Sequence, residues 1–557
     1  MDETWDVAIV GSGVGALICA AYLAADGARV LVLEQHDVAG GSAHVFRRRR
    51  AYEFDVGVHY LGDCGPDGLL PAILSGLGIG DRVRFRPMDQ DCFDRVILPS
   101  VTIDVPAGWD RYRQRLKEAL PGDAAGLDRF IDRCQTVAEL ARHTLVTPHD
   151  EVMDLVRTNS ADLRWSRRTL ADLFDDCGLS TRARTVLAAQ SGNYGAPPSG
   201  VSLGTHAGMI DHYMRGAYYP AGGGQVLVAS LVEVLEAHGG ELRTRCDVRR
   251  ILIEGGRAAG VELADGTSVR APVVISNADY RKTILELCGG QENFPAALVA
   301  RTEAATMRCP LAVLYVALDS PLTGLRNANV WWWRGEDVEE AYARLWHDGE
   351  HQEVPFVFVS FTSTKDPEAP ACPPGHANFQ VMTLCPPGPA PWGIPEDAAD
   401  GKRYRRERAY KDAKERLVAA LLDAAELAIG PFRDRIVHLE AATPLTNERY
   451  TLSTGGTPYG MAKWGTVGQR PDTATSVQGL YIVGPNTRYG SGIAGVALSG
   501  ITTAGQCMGR PLLREVYAAG VSAGPANLPP RPAGWDPLLV SRGTARRHAR
   551  GLARLGR

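Results

Sequence analysis

Eleven cysteines are scattered through 557 residues without a single CxxC pair, which removes both a structural zinc knot and a disulfide framework. Long apolar runs are missing too. No stretch of 18 or more uncharged apolar residues occurs, so no membrane-spanning helix is expected. Charge of one sign is equally scarce: 60 basic and 64 acidic side chains leave −4, too balanced for a nucleic-acid binder, and no nucleic-acid partner is expected. There is no GxSxG elbow, P-loop or His-Glu-x-x-His, which removes the commonest hydrolase and metal chemistries, and no metal site is expected. The first ten residues read as a strand rather than a leader, so the default expectation is a cytoplasmic address. The remainder is ordinary globular composition, 45% apolar and 22% charged, long enough for two or three domains or one large discontinuous one.

What is present begins immediately. Residues 5–10 form a short β-branched run, and Gly11-Ser-Gly13-Val-Gly15-Ala16 follows. Residues 17–25 are helix-prone and apolar, Asp26-Gly27 closes them, and 28–33 read as a second strand, completing a βαβ unit. Glycines between strand and helix allow a tight turn, close approach to a pyrophosphate and helix–strand packing, with Ala16 at the third position of the fingerprint. Glu34, at the end of the second strand, suits both hydroxyls of an adenosine ribose. The pattern reads as an adenine-dinucleotide site.

Two further segments favour FAD over NAD. Val38-Ala-Gly40-Gly41-Ser42-Ala-His44 is a second flexible stretch whose amides suit phosphate or ribityl oxygens. Near the C-terminus, residues 479–484 form a strand that runs into Pro485-Asn486 and Tyr489-Gly-Ser-Gly492-Ile-Ala-Gly495, then a helix-prone 496–508. A helix starting near Ile493 aims free N–H groups and its positive end at an anion.

The middle of the chain reads as a mixed α+β cap. It is helix-like near 111–120, 126–142 and 180–190 and strand-like near 311–318, 354–362 and 378–384, with a long charged helix over 402–427. Short strands over 242–248, 250–254, 258–263 and 273–276 are separated by Gly255-Gly256 and Asp265-Gly266 hairpin turns. Residues 525–537 read as a proline-rich linker, and the last 17 residues, with six arginines and no acid, as a loosely attached tail. Arg542, Arg546, Arg550 and Arg554 would form one basic stripe if helical, suited to an anionic membrane surface, with disorder as the competing reading. Gly76-Leu-Gly78-Ile-Gly80 mimics a dinucleotide loop but reads as a helix C-terminal turn. Trp331 and Trp333 share one face of a strand, as a wall for a polyene channel or as core packing.

Phe54-Asp-Val-Gly57-Val-His59-Tyr60-Leu-Gly62, the segment from His212 to Gly223, and the segment from Thr443 through Tyr459-Gly460 resemble retinol saturases, carotenoid isomerases and phytoene desaturases. The resemblance runs over nearly the whole chain to about Gly509. It implies an α/β fold of the amine-oxidase-like type: a Rossmann-like FAD-binding domain from 1–65, 215–285 and 440–510, and a substrate-binding cap from 66–214 and 286–439. Residues 511–557 are left as linker and tail. It implies that Gly11, Gly13, Gly15 and Ala16 serve the pyrophosphate, Glu34 with Gln35 the ribose, Gly40, Gly41 and Ser42 the phosphate side, and Val248 the adenine, with Asn277 and Ala278 nearby. Gly57, Val58 and His59 lie beside the flavin loop, and Gly484, Asn486, Gly492, Ile493 and Ala494 hold ribityl and isoalloxazine. Many relatives carry an acid near Pro485 or Asn486 and an arginine at Ser42, so this chain departs from the pattern there.

The implied activity is FAD-dependent redox or isomerisation of a carbon–carbon double bond in an apolar conjugated substrate, with a separate electron donor or acceptor. His59 is the first candidate for acid–base work, followed by Tyr60, Tyr459 and Tyr489; a structural role for His59 is the alternative. A flavin amine oxidase and a prenyl-lipid escort protein without catalysis stay open as rival readings.

Overall fold

The computed structural model describes residues 3–347, 353–368, 371–395, 403–467, 469–519 and 528–543. Its central sheet has five parallel strands in the order Glu241–Thr244, Val30–Glu34, Val7–Val10, Val273–Ser276 and Leu480–Ile482. Three distant stretches of chain therefore build one sheet. The two strands of the opening unit are buried at every residue, which explains why they read as unbroken apolar runs rather than as alternation. Helix Val14–Ala25 lies across this sheet between helices Gly224–Ala237 and Gly492–Met508, and nearly all of its residues are buried.

A four-stranded sheet flanks it, where Val248–Glu254 and Arg257–Leu263 meet through Gly255 and Gly256. Their φ values of 59° and 77° are the left-handed pair that a two-residue hairpin turn demands. The cap is built on a seven-stranded sheet in the order Ile436–Ala442, Leu311–Leu318, Ala377–Leu384, Phe356–Ser360, Asn329–Trp333, Asp94–Leu98 and Val101–Val105. Period-two alternation divides Leu311–Leu318 between two cores. Ala312, Leu314 and Val316 pack towards helix Arg408–Ile429, while Val313, Tyr315 and Ala317 face the helical layer that includes Trp109–Ala119, Ala124–Val146 and Leu203–Met214. The central cavity opens between that layer and the five-stranded parallel sheet.

The C-terminal region differs from the expected loose linker and tail. Helix Leu512–Ala519 packs against Gly492–Met508 and Leu69–Gly76. Further on, the Arg531 guanidinium lies 3.8 Å from the Trp535 ring centre, and Trp535 Nε1 donates to Glu233. Asp536 caps helix Pro537–Val540 and pairs with Arg47, and Arg542 pairs with Asp37. Proline-rich composition signals a chain that makes few backbone hydrogen bonds, but it is blind to acids and aromatics that lie hundreds of residues away. Arg542 is thus taken out of the proposed basic stripe; Arg546, Arg550 and Arg554 lie outside the described residues. Among the described residues no helix is long and apolar enough to cross a membrane.

Candidate functional site

One cavity of about 1870 Å³ collects the segments singled out above. It is roughly twice the upper end of the usual range for a small-molecule pocket, ~1,000 Å³, and has room for a dinucleotide and a second ligand. Of the named cofactor residues, Gly11, Gly13, Gly15, Glu34, Gln35, Gly40, Gly41, Ser42, Gly57, His59, Val248, Asn277, Ala278, Asn486, Gly492, Ile493 and Ala494 line it. Ala16, Val58 and Gly484 do not. Ala16 and Val58 are buried behind the wall, where a Cβ on Gly224 would stand 2.8 Å from Val58. Gly484 turns with φ +115° and donates its N–H to Ser499 Oγ at 3.0 Å, a support for the loop rather than a face of the cavity.

The glycine loop is fixed by its neighbours. Gly13 N–H donates to Asn277 Oδ1 at 2.8 Å, and a Cβ on Gly13 would stand 2.4 Å from that same oxygen. Asn277 Nδ2 also donates to the Val483 carbonyl at 3.1 Å, so one amide ties together the ends of strands Val7–Val10, Val273–Ser276 and Leu480–Ile482. Gly15 is a packing glycine, because its Cβ would meet the Val496 carbonyl at 2.6 Å. Glu34 Oε2 accepts from Ser12 N–H at 3.0 Å and Ser12 Oγ at 2.6 Å, while Oε1 accepts from His36 N–H at 2.8 Å. The carboxylate is therefore locked by the glycine loop beside it and by the residue two positions on. Gly40 N–H donates to the Ser12 carbonyl at 3.0 Å, which brings the second glycine stretch onto the first. Gly490 and Gly492 take φ +81° and +78° with open space where a side chain would stand, at the head of the 17-residue helix Gly492–Met508. Bare backbone on two loops, a carboxylate at the end of the second strand and a helix N-terminus suit a flavin dinucleotide. Asn486 Oδ1, the acceptor left by the missing acid, is taken by Met461 N–H at 2.8 Å.

His59, Tyr60, Tyr459 and Tyr489 all line the cavity. Burial, and then the charge of Lys365, lower the His59 pKa to about 3, so its ring is neutral at physiological pH; Nδ1 is buried with no hydrogen-bond partner among the described residues. Tyr60 is better connected. It stacks on Tyr213 at 4.2 Å, accepts from Asn193 Nδ2 at 2.9 Å and donates to Asp94 Oδ2 at 3.0 Å. Asp94 also accepts from Asn329 Nδ2 at 2.8 Å and from Gln190, and burial outweighs these bonds and raises its pKa to about 6. Burial pushes Tyr60 well above its ordinary value, with Asp94 adding to the shift, so its hydroxyl keeps its proton. Tyr459 is likewise raised by burial, and Tyr489 accepts from Arg488 Nη2 at 3.0 Å.

Sequence reasoning missed Asp94, Lys365, Arg308 and Arg470. Lys365 ends the one-turn helix Thr362–Lys365, fully buried, and its Nζ donates to the His59 carbonyl at 2.7 Å and to Ser360 Oγ at 2.6 Å. Burial lowers its pKa to about 7 against the opposing pull of Asp94 and Asp55. A Thr-Ser-Thr-Lys run carries no signal of this kind. The tryptophan triplet resolves towards core packing: Trp331 stacks on Phe358 at 4.2 Å, Trp333 on Phe356 at 4.5 Å, and neither reaches the cavity wall.

The model of the family described as flavin containing amine oxidoreductase matches residues 17–283. All-trans-retinol 13,14-reductase of Danio rerio is 29% identical over 546 residues, 93% of this chain and 88% of its own. Prolycopene isomerase 2, chloroplastic, of an Oncidium hybrid cultivar is 24% identical, covering 90% and 83%. The chain is an FAD-dependent oxidoreductase of the amine-oxidase-like fold. That fold is shared with an oxidoreductase from Methanosarcina mazei, with a TM-score of 0.59 at 18% identity over 89% of this chain and 99% of that one. In this flavoprotein the family match ends near residue 283, whereas the retinol reductase likeness continues through the cap.

Proposed function

We propose that the enzyme transfers hydride to or from a carbon–carbon double bond of a conjugated polyene or isoprenoid, in saturation, desaturation or cis–trans isomerisation. The observation that carries this reading is the continuity of one cavity from the glycine loops to an apolar compartment walled by Val137, Leu140, Met209, Leu311 and Val313. Relatives named for retinol reduction and prolycopene isomerisation support the substrate class. Bound FAD supplies the hydride chemistry. The chain's own residues supply pose, a dry enclosure and a proton. Tyr60 holds that proton at the cavity wall, Asp94 behind it takes it up or returns it, and Asn193 orients the hydroxyl. Lys365 fixes the backbone at His59, which keeps His59 and Tyr60 in place as adjacent wall residues.

The same proposal assigns the cofactor-facing residues their roles, reads 1–65, 215–285 and 440–510 as the FAD-binding unit, and takes 66–214 and 286–439 as the cap. It includes a separate electron donor or acceptor and a peripheral contact with the membrane that stores an apolar substrate. The test is anaerobic photoreduction followed by retinol, lycopene isomers and a linear polyene acid in turn, with flavin reoxidation and product mass followed together. Reoxidation with a gain of two hydrogens identifies saturation; unchanged mass with a new isomer identifies isomerisation. No change in any polyene, together with rapid reduction of the oxidised enzyme by primary or secondary amines, overturns the reading.

A further inference from the structure

Arg308 and Arg470 line the same cavity, and neither forms an ion pair with any described residue. Arg308 is 3% exposed. Its Nη1 donates to the Tyr194 carbonyl at 3.1 Å and its backbone N–H to the Gly460 carbonyl at 3.0 Å. Arg470, half-buried where it faces the cavity, donates to the carbonyls of Tyr459, at 3.0 Å, and Pro485. Both are thus tied to the turn at Tyr459-Gly460, beside the loop that leads into helix Gly492–Met508.

Carbonyl oxygens satisfy N–H groups but do not neutralise charge. Two guanidinium groups that face one cavity without a counter-charge lose hydration with nothing to offset the loss, a combination that persists where an anion completes the site. Both side chains line one cavity and both residues are anchored at the Tyr459-Gly460 turn; burial lowers the pKa of both, that of Arg470 to about 9 with Arg308 adding to the shift. Leu311 and Val313, three and five residues beyond Arg308, are cavity wall, so charge and apolar surface are continuous. Guanidinium forks match a carboxylate in geometry as well as in charge.

We propose that Arg308 and Arg470 form a carboxylate-binding subsite in the wall of the apolar cavity, so that the substrate is a conjugated chain ending in an acid rather than a hydrocarbon. The polyene part rests on the function proposed above; the acid part rests on the arginines. An anion on the bound flavin ring is the other source of the same chemistry.

The test is calorimetric binding of all-trans-retinoic acid against retinol, and of dodecanoate against dodecanol, to the FAD-loaded enzyme. The wild-type protein is expected to hold each acid at least about tenfold more tightly than its alcohol, the scale of a charge-assisted hydrogen bond. Arg308→Met and Arg470→Met are expected to lose that preference without loosening the alcohols, and Arg308→Lys to retain part of it. Equal affinity for acid and alcohol in the wild-type enzyme overturns the subsite, and that comparison needs no variant. Undiminished acid preference in both methionine variants also overturns it. So does a variant that keeps the preference while shifting the flavin midpoint potential, which hands the charge to the cofactor. If neither retinoid binds but dodecanoate outbinds dodecanol in an arginine-dependent way, the subsite stands and the polyene reading alone fails.

Discussion

A proton held in a dry wall is controlled by the groups behind it, and at Tyr60 these are Asp94 and Asn193. Tyr60→Phe keeps the ring stack on Tyr213 but removes the hydroxyl. Turnover is expected to fall about 100-fold, at the lower end of general acid–base effects, with flavin content unchanged. The charge state of Asp94 sets the direction of its influence. Below its pKa of about 6 it is protonated and can resupply Tyr60, so the saturating direction is expected to quicken as pH falls through 6 and the desaturating direction as pH rises. Asp94→Asn should flatten both profiles. Rapid-mixing kinetics across pH 5 to 8 check this, and a profile unchanged in the variant removes Asp94 from the relay. At the cofactor loop, Gly13→Ala places a methyl 2.4 Å from Asn277 Oδ1 and is expected to lower FAD occupancy, read from the absorbance ratio of the purified protein.

Among elements, the short helix Pro537–Val540 and its flank act as a buttress for the second glycine stretch. The Ser541 carbonyl accepts from Ala39 N–H at 2.8 Å, Ser541 Oγ accepts from Gln225 at 2.7 Å, and Thr244 donates to the Arg542 carbonyl at 2.9 Å. A chain ending at Trp535 loses all three bonds and the Arg542–Asp37 pair. It is expected to release flavin more readily on gel filtration and to melt at lower temperature, whereas a chain ending at Gly543 keeps wild-type behaviour. Equal flavin retention in the two truncations would show that the buttress is dispensable.

For the whole molecule, buried titratable groups set acid stability. Burial holds His44 near 4 and His59, His206 and His212 near 3, below the ordinary histidine value of 6.5. The unfolded chain binds those protons first, so this stability is complete above 6.5 and drains as pH falls towards 4, by about 1.4 kcal/mol per unit for each group. Asp55 and Asp94, raised by burial to about 6, act in the opposite sense, gaining stability as pH falls from 6 to 4. Four groups outweigh two. The melting temperature is expected to fall between pH 6.5 and 4, and His206→Gln, away from the proposed proton relay, to make the fall shallower. A pH-independent melting temperature over that range would contradict the burial of these rings.

The sequence by itself determined the parts whose physics is local. A strand, a turn that needs glycine and a helix lie within 25 residues of one another, so Gly11 to Ala25 could be read directly, as could Gly255-Gly256 and the helix that follows Gly492. The strand character of 311–318 was legible for the same reason, whereas its division between two cores was not. Tertiary structure alone decided which groups sit without water and which charges lack partners. Asp94 receives donors from Tyr60, Gln190 and Asn329, Lys365 reaches back to His59 across 306 positions, and Arg308 and Arg470 are each anchored at the Tyr459-Gly460 turn. Desolvation and pairing act through space, and the tail segment 528–543 was misread on the same account: its partners Asp37, Arg47 and Glu233 come from the other end of the chain or its middle, where no local pattern announces them.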